Sequence, residues 1–392
     1  MARLVAIDLP GGPALVARVQ AAWEAGDAVL IVDRRLPPAA RTALLDAARP
    51  TVVVTEQGDH TAGAPPVELA PGDALVAASS GSTGAPKLLV HTLDGLRAHA
   101  EAVHAHLTVD PSTDRWLACL PLNHLGGFGV VARSLLTGVG LDVLDGFDAS
   151  TVAAAPTALG STLVSLVPTA LDRIDPAAFR VVVLGGSADP ATRPPNVLRT
   201  YGLTETGGGV VYDGTPLPGT EVLVDATGGL LVRGPSLARG RLAPDGTVTP
   251  IVDDDGWLHT GDLGRWDGER LHVDGRADDL IVTGGENVWP GPVEEALRTH
   301  PSVADVAVAG ALDPTWGQRV VAVVVPRDPA APPTLEALRD HVRTTLPASS
   351  APRELRLVDA LPRTALGKVR RAALLLDAPT LPVQPRRPGT GP

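Results

Sequence analysis

Apolar runs of strand length alternate with segments of helical period through the first two thirds of the chain. Five runs read as buried strands: DALVAAS (73–79), RWLACLPL (115–122), GLDVLD (140–145), STLVSLVP (161–168) and FRVVVLGG (179–186). Helical patterns lie between them at 92–107, 126–138 and 148–160, the first with Thr92 at its N-cap position. This alternation predicts crossover units and a mostly parallel sheet in an α/β fold.

The pattern changes in the last third of the chain. From about residue 219, short β-rich pieces are separated by Gly, Asp and Pro, and a small mixed unit follows. That unit has predicted helices near 292–300 and 334–346 and predicted strands at 303–310 and 319–326. The predicted fold class is a large α/β N-terminal domain, with sheets flanked by helices, and a small α+β C-terminal domain.

The turn VDGRADD (273–279) is the best candidate for the domain boundary. We therefore expect an N-terminal domain at 1–275 and a C-terminal domain at 276–377. Residues 378–392 are rich in proline and are expected to form a disordered tail.

Composition and charge limit the classes of protein to which the chain can belong and the partners that it can bind. A length of 392 residues is too great for one small core, and 44% hydrophobic residues favour a globular protein. The net charge of −11 argues against a nucleic-acid surface. No run approaches the ~20 apolar residues of a membrane span, and the N-terminus lacks the apolar stretch of a signal peptide. We expect a cytoplasmic protein.

Lysine occurs at two positions only, Lys87 and Lys368, and every other basic residue is arginine. Chance in an arginine-rich composition is one reading. The other is that both positions need a compact ammonium on a flexible stem, which a guanidinium cannot imitate. Lys87 ends the stretch SSGSTGAPK (79–87), which follows a buried strand and is expected to precede a helix.

The stretch 79–87 is either a flexible turn or an anion-binding loop. Its small residues let backbone N–H groups approach and surround an anion, and its hydroxyls add donors. It is not a Walker A motif, because Pro86 precedes Lys87.

Five further motifs follow the loop in the order of a known superfamily. They are LPLNHLGG (120–127), YGLTETGGG (201–209), GWLHTGDLG (256–264), GRADDLIVTGGENVWPGPVEE (275–295) and PRTALGK (362–368). Motif by motif, residues 75–371 resemble the acyl-adenylate-forming superfamily of acyl-CoA ligases. The resemblance implies that a carboxylate attacks the α-phosphorus of ATP, which gives an acyl adenylate and pyrophosphate. Coenzyme A thiolate then displaces AMP.

The resemblance also implies the residues that bind nucleotide and metal. The nucleotide-binding set is Ser79, Ser80, Gly81, Ser82, Thr83, Gly84, Lys87, Gly185, Gly186, Ser187, Tyr201, Gly202, Thr204, Asp262 and Arg276. Within it, the loop would hold the β- and γ-phosphates, Lys87 would order the loop, and Tyr201 would stack on adenine. Asp262 would accept the ribose hydroxyls. Glu205, with Thr83, would bind Mg²⁺, which prefers carboxylate and phosphate oxygens.

By the same resemblance, Lys368 would bridge the substrate carboxylate and the α-phosphate during adenylation. The small domain of these enzymes is expected to rotate between the half-reactions, with Asp278 at the hinge position. Rotation would withdraw Lys368 and bring Gly284 and Gly285 to the pantetheine arm of coenzyme A, where glycines permit close backbone approach. An ordinary turn is the alternative reading of the glycine pair.

The acid would lie near His124, Gly207 and Gly208 by the same comparison, with His124 as a gate beside the carboxylate. Arg133 follows nine residues after His124. An arginine on an apolar helix is usually snorkelling or paired. The 2-succinylbenzoate–CoA ligases of menaquinone synthesis, however, carry an arginine at this spacing, where it recognises the second carboxylate of an aromatic diacid.

Two features depart from the pattern of most relatives. Only 78 residues precede the phosphate loop, and the connection ATRPPNVLR (191–199) is short. The effect of both on ATP affinity is open at this point.

The favoured interpretation is an ATP-dependent acid–CoA ligase for 2-succinylbenzoate, using ATP, Mg²⁺ and coenzyme A, with a homodimer as an open expectation. One alternative is a ligase for another aryl or acyl acid. A second is an adenylation domain that feeds a carrier protein, disfavoured because no carrier sequence follows. A third is an inactive nucleotide-binding module, disfavoured because Thr83, Glu205, Asp262, Arg276 and Lys368 occur together.

Overall fold

The computed structural model of the chain describes residues 1–62, 65–80, 86–186, 193–363 and 369–375. Within these ranges the helices are α1 Pro13–Glu24, α2 Pro38–Ala48, α3 Leu93–Leu107, α4 Leu125–Thr137, α5 Ala149–Ala158, α6 Pro168–Leu171, α7 Pro290–Arg298 and α8 Leu335–Arg343. Short 3₁₀ turns lie at Pro176–Ala178, Ala277–Asp279, Ala348–Ser350 and Arg371–Ala373.

The strands of the same ranges complete the inventory. The first half contains β1 Leu4–Asp8, β2 Ala28–Ile31, β3 Val52–Thr55, β4 Gly58–Thr61, β5 Asp73–Ser80, β6 Pro86–Thr92, β7 Arg115–Ala118, β8 Gly140–Val143, β9 Leu163–Leu166, β10 Val181–Leu184 and β11 Val197–Leu203. The second half contains β12 Gly208–Tyr212, β13 Thr215–Pro216, β14 Glu221–Val224, β15 Gly229–Arg233, β16 Gly240–Leu242, β17 Val248–Thr249, β18 Leu258–Asp267, β19 Arg270–Arg276, β20 Ile281–Thr283, β21 Glu286–Val288, β22 Val303–Asp313, β23 Gly317–Pro326 and β24 Glu354–Leu357.

The first sheet has the strand order β17-β16-β6-β5-β2-β1-β3-β4. Its centre is parallel, from β5 through β2 and β1 to β3, whereas β6 pairs antiparallel with β5. Successive residues of β5 enter different cores, with Leu75 in one cluster and Val76 in the other. Burial on both faces explains why this strand reads as an uninterrupted apolar run.

The second sheet has the order β13-β12-β11-β10-β9-β7-β8, and its strands from β8 to β11 are parallel. This confirms the predicted parallel sheet and its crossover helices α4 and α5. The strand predicted at 115–122 ends earlier, at Ala118. Pro121 explains the shorter strand, because proline has no N–H to continue the ladder.

The phosphate loop and the helix predicted at 92–107 are separated by a strand that the sequence reasoning missed. Strand β6 follows the loop, and its Lys87 pairs with Ser79 of β5. Residues 88–90 are all buried, and β6 is covered by β5 on one edge and by β16 on the other, so this apolar run is a strand. α3 begins only at Leu93, and the Thr92 hydroxyl caps it as predicted by accepting a hydrogen bond from Gly95 N at 3.1 Å.

The chain divides into two compact units. Unit 1 comprises Met1–Thr260 with Arg265–His272, and unit 2 comprises Gly261–Gly264 with the residues from Val273 onward. A third sheet, of order β14-β15-β18-β19, contains the strands at which this division falls. The functional domains at 1–275 and 276–377 stay predictions, and the predicted tail at 378–392 lies outside the described residues.

Unit 2 is built on a sheet of order β21-β20-β23-β22, with β24 parallel to β23. One face packs against α7 and α8 through residues such as Val308, Leu297 and Leu338. The other face carries Leu361 and Leu374, which flank the PRTALGK motif. The helices and strands predicted between 292 and 346 are confirmed, with small shifts of their ends.

Candidate active site

β5 and β6 frame the predicted phosphate loop in unit 1. Ser79 pairs with Lys87 and Ser80 with Pro86, so both ends of the loop are held in one antiparallel ladder. Lys87 makes no ion pair within the described ranges, and its side chain is half-buried. The remaining predicted loop positions, Gly81, Ser82, Thr83 and Gly84, lie outside the described residues, as do Ser187 and Lys368.

The predicted adenine site lies where β10 ends beside β11. The parallel register pairs Leu184 with Arg199, and a Cβ on Gly185 would lie 3.9 Å from Thr200 Oγ1. Thr200 Oγ1 donates to the carbonyl oxygen of Leu184 at 3.2 Å and so ties the two strands together. Tyr201 follows Thr200 along β11, and its predicted contact with adenine stays a prediction.

The stretch YGLTETGGG forms a tight turn between β11 and β12. A Cβ on Gly202 would overlap the carbonyl oxygen of Gly208, so the hairpin requires glycine at this position. Thr206 is fully buried, and its Oγ1 accepts from Leu203 N at 2.7 Å and donates to Gly208 O, also at 2.7 Å. These bonds hold Thr204 and Glu205 at the tip of the turn.

The Glu205 side chain is suited to a magnesium ion. Among the described residues its carboxylate makes no hydrogen bond or ion pair, and only its backbone carbonyl is used, by Ala238 N at 2.8 Å. The described part of the chain has no cluster of three or more His, Cys, Asp or Glu side chains that could enclose a metal. One carboxylate with phosphate and water oxygens is the environment that Mg²⁺ commonly takes, and softer metals prefer nitrogen and sulfur ligands.

Two buried histidines that the sequence reasoning missed contact this turn. His91 of β6 hydrogen-bonds the backbone of Thr204, and its Nε2 has no partner in the described structure. His99 Nε2 lies 2.9 Å from Gly209 O, and a Cβ on Gly208 would lie 3.0 Å from the His99 ring. Burial lowers the pKa of each histidine to about 4, so both are neutral near pH 7. The sequence did indicate that His99 is buried, because His99 lies on the apolar face of α3, three residues after Leu96.

Arg133 of α4 is buried, with 5% of its surface exposed. Its guanidinium lies over the Trp116 ring, donates to Ser165 Oγ at 3.3 Å and hydrogen-bonds the Tyr212 hydroxyl. Its Nε has no partner, and no carboxylate of the described residues forms an ion pair with it. Burial lowers the pKa of this guanidinium, and the contact with Tyr212 opposes that shift.

His124 is the N-cap residue of α4. Its Nε2 lies 2.9 Å from Asn123 Nδ2, which also donates to Asp33 Oδ2 at 3.2 Å. Burial lowers the pKa of His124 to about 4, while nearby Asp33 opposes the shift, so the ring is neutral near pH 7. It lines a small pocket with Leu122, Phe128 and the β5 residues 75–77, and Arg133 is not part of that lining.

Two predicted nucleotide contacts lie together in unit 2. Asp262 is buried, and its Oδ1 lies 3.3 Å from Nη1 of Arg276, whose side chain is 43% exposed. Gly261 has a φ of +73°, and a Cβ there would lie 3.0 Å from the Arg276 guanidinium. Glycine at this position therefore lets the arginine reach the carboxylate.

Gly284 and Gly285 form the turn of the β20–β21 hairpin, with φ values of +61° and +83°. Gly284 N donates to Trp316 O at 2.8 Å, and a Cβ on Gly284 would meet the Trp316 ring at 2.8 Å. Both observations require glycine, although they do not by themselves show a ligand. Asp278, the predicted hinge residue, is exposed in the 3₁₀ turn Ala277–Asp279.

Comparison with known proteins places these features in a family. The AMP-binding enzyme family matches residues 59–242, and the AMP-binding enzyme C-terminal domain matches residues 292–368. The chain is 44% identical over 330 residues to a probable 2-succinylbenzoate–CoA ligase of Mycobacterium tuberculosis (strain CDC 1551 / Oshkosh). The alignment covers 77% of this chain and 84% of the relative. The chain belongs to the 2-succinylbenzoate–CoA ligase family of AMP-binding enzymes.

Solved structures of the family agree with the fold. The o-succinylbenzoate CoA synthetase from Bacillus subtilis, in complex with its acyl-adenylate intermediate, matches with a TM-score of 0.82 and 26% identity. That match covers 96% of this chain and 89% of the other. The same enzyme with ATP and magnesium ion also has a TM-score of 0.82 and 26% identity, over 95% and 89% of the two chains. The predicted superfamily and its two-domain fold are confirmed.

Membership of the family leaves the role of each side chain open. The structure brings together Ser79 with Lys87, Gly185 with Thr200, and Asp262 with Arg276. Arg133 and His124 are contributed by one helix but contact different neighbours. Cys119 is buried, and burial raises the pKa of its thiol to about 12.

Proposed function

We propose that this chain is an ATP-dependent ligase that adenylates 2-succinylbenzoate and then transfers the acyl group to coenzyme A. The observation that carries the choice of acid is Arg133, a buried guanidinium without a carboxylate partner among the described residues. Burying a charge without an ion partner is costly. The second carboxylate of a diacid would supply that partner. The similarity to ligases named for 2-succinylbenzoate supports the same acid.

Adenylation brings two anions, ATP and a carboxylate, close together. The site therefore needs hydrogen-bond donors and cations that are already in position. The loop at 79–87 holds the β- and γ-phosphates, with its ends fixed by the Ser79–Lys87 pairing. Glu205 ligates Mg²⁺, which neutralises phosphate charge when bound. The ammonium of Lys368 contacts the carboxylate and the α-phosphate, because its flexible stem lets it enter and leave the site.

The nucleotide-binding residues keep the roles that the motif resemblance implies. In unit 1, Tyr201 and the Gly185–Gly186 backbone bind the adenine. In unit 2, Asp262 accepts the ribose hydroxyls, and Arg276 contacts the ribose and phosphate. The contact with Arg276 supports this assignment, because it holds the buried Asp262 carboxylate in one orientation.

The acid is bound by α4 and the turn before β12. His124 is neutral near pH 7, so beside the reacting carboxylate it acts as a hydrogen-bonding group and not as a cation. Gly207 and Gly208 leave room for the acyl group. Arg133 lies nine residues further along α4, a rise of roughly 13 Å. The two side chains are therefore assigned to different groups of the acid.

The transfer to coenzyme A uses the small domain, residues 276–377, in a second orientation. Asp278 is the proposed hinge, and its exposed turn leaves its backbone angles unconstrained by core packing. Gly284 and Gly285 line the path of the pantetheine arm, where their lack of side chains permits close approach.

A panel of carboxylic acids tests the function directly. ATP- and coenzyme A-dependent AMP formation is measured with 2-succinylbenzoate, with a monoacid of similar shape and with unrelated aryl acids. We expect the diacid to give the highest kcat/KM. Equal or faster turnover of the monoacid would assign the chain to the second candidate, a ligase for another acid. Absence of AMP and pyrophosphate with every acid would contradict the ligase function itself.

A cytoplasmic location and a homodimeric state are further parts of the proposal. In the part of the chain that the structure describes, no helix is both long enough and apolar enough to cross a membrane. Light scattering coupled to gel filtration tests the dimer, and fractionation of the producing cells tests the location.

A further inference from the structure

Arg371 makes three contacts inside unit 2. Its Nη2 lies 2.6 Å from Glu294 Oε1 on α7, and its Nη1 lies 3.2 Å from Asp279 Oδ2 in the 3₁₀ turn. Its Nε donates to Val308 O on β22 at 3.3 Å. We refer to Arg371 with Glu294, Asp279 and Val308 as the Arg371 anchor. One guanidinium thus joins a helix, a strand and the turn that contains the predicted hinge.

Glu294 is the buried centre of this anchor. The residue is 6% exposed, and its Oε1 also accepts a hydrogen bond from Val308 N at 2.9 Å. Arg298 reaches the other oxygen, Oε2, at 3.4 Å from the surface, with 45% of its own side chain exposed. A buried carboxylate needs a well-placed cation. Arg371, with the shorter bond and the less exposed side chain, meets that need better than Arg298.

The backbone near Arg371 is held at the same place. Val369 forms an antiparallel bridge with Arg363, and Arg370 N donates to Pro362 O at 2.8 Å. Val369 and Leu374 also pack on the face of the unit 2 sheet that carries Leu361. The described residues on the two sides of 364–368 are therefore held together, and Arg371 adds side-chain bonds on the C-terminal side.

We propose that Arg371 is a positioning residue for adenylation, because it ties the chain that follows Lys368 to Glu294 and to Asp279. Arg371 is three residues after Lys368, and Asp279 is next to the hinge residue Asp278. All members of the anchor belong to unit 2, so they turn together about the hinge. The anchor thus fixes the chain directly after Lys368 to α7 and to the hinge turn. This inference rests on the proposed function, in which Lys368 acts only in the first half-reaction.

The test separates the two half-reactions in the full-length protein. Adenylation of 2-succinylbenzoate is followed by pyrophosphate release, and thioester formation is followed with synthetic acyl adenylate and coenzyme A. Arg371→Ala is expected to slow adenylation on the order of tenfold to a hundredfold, because small misplacements of a reacting group carry such losses. Thioester formation should stay within about twofold of wild type, since Lys368 has left the site by then.

Two further variants control for packing. Arg298→Ala removes a cation from the same Glu294 but does not touch the PRTALGK segment, so both of its half-reactions should match wild type. Arg371→Lys keeps a cation but loses the planar fork, so it should recover only part of the adenylation rate. It also stands in for Arg371→Ala if that protein does not fold, and thermal melting of each variant reports on folding.

Normal adenylation in Arg371→Ala would overturn the inference, and so would equal losses in both half-reactions. If Arg371→Ala does not fold, normal adenylation in Arg371→Lys would overturn it equally. Failure of wild type to adenylate 2-succinylbenzoate is a different result, which counts against the proposed function and is seen before any variant is compared.

Discussion

The guanidinium of Arg133 lies over the indole of Trp116, with its Cζ 4.5 Å from the ring centroid. This cation–π contact orients the side chain but leaves its positive charge without a counter-ion. Trp116 is itself fully buried. The pair therefore leaves a directed cation in the interior of unit 1, and this is the geometry that a substrate carboxylate could complete.

Arg133→Ala should distinguish a diacid from a monoacid. If Arg133 binds the second carboxylate, its loss costs about 2–5 kcal/mol in binding of 2-succinylbenzoate, and KM for ATP and coenzyme A changes little. A monoacid of similar shape should lose much less, because it offers no second anion. Steady-state kinetics with both acids give the comparison.

Arg133→Lys and Arg97→Ala serve as controls for this prediction. The lysine variant should recover only part of the lost affinity for the diacid, since an ammonium cannot form the two parallel hydrogen bonds of a guanidinium. Arg97 is an exposed arginine of α3 that donates to Leu136 O, so its removal should leave both acids unaffected. Uniform losses for diacid and monoacid in Arg133→Ala, with a lower melting temperature, would make Arg133 a packing residue.

Lys368→Ala should abolish acyl-adenylate formation and leave thioester formation from supplied adenylate largely intact. The ammonium stabilises charge only in the first half-reaction, and loss of such a contact typically costs about 3–4 kcal/mol in the affected step. Single-turnover assays of each half-reaction measure this. Equal loss in both steps would contradict domain rotation. Lys87→Ala is the matched comparison, because it removes the other lysine and should affect ATP binding through the loop.

Asp278→Pro should have the opposite effect. Proline fixes φ, so a residue that must change its backbone angles to turn the domain would be locked. We expect adenylation to continue and transfer to coenzyme A to fail. Asp278→Ala, which keeps backbone freedom, should perform both steps. A folded proline variant with normal overall turnover would show that the hinge lies elsewhere.

The buried histidines predict a loss of stability in mild acid. Burial lowers the pKa of His91 and of His99 from 6.5 to about 4. Between these values the unfolded chain binds more protons than the folded one, so the free energy of unfolding rises with pH and is lost as pH falls from 6.5. Each histidine should contribute a loss of roughly 2 kcal/mol between pH 6.5 and pH 5. Urea denaturation at several pH values measures this slope.

His99→Gln provides the control for the pH prediction. The amide can still donate to Gly209 O but does not titrate, so the variant should lose the share of the slope that belongs to His99. His60 lies on the exposed strand β4, and His60→Gln should leave the slope unchanged. A slope that is the same in wild type and His99→Gln would mean that His99 is not the group that takes up the proton.

Most elements and the family could be read from the sequence. The period of the apolar positions indicated α3, α4, α5 and the parallel strands, because helix and strand faces repeat within a few residues. The motifs identified the superfamily without any structure. Strand β6, at residues 86–92, was missed, since a short apolar run does not reveal whether it forms a strand or part of a helix. Only the pairing of Lys87 with Ser79 and of Leu89 with Arg241 made it a strand.

The amino-acid sequence by itself determined the local elements, the order of the motifs and the chemistry that their side chains can perform. The tertiary structure decided which distant groups meet: His99 with Gly209, 110 residues apart, and Arg371 with Glu294, 77 residues apart. It also decided that Arg133 is buried among aromatic and hydroxyl groups and not beside a carboxylate. Periodicity records only neighbours on one face of one element, whereas contacts between elements depend on how sheets and helices pack, and that packing is a property of the whole chain.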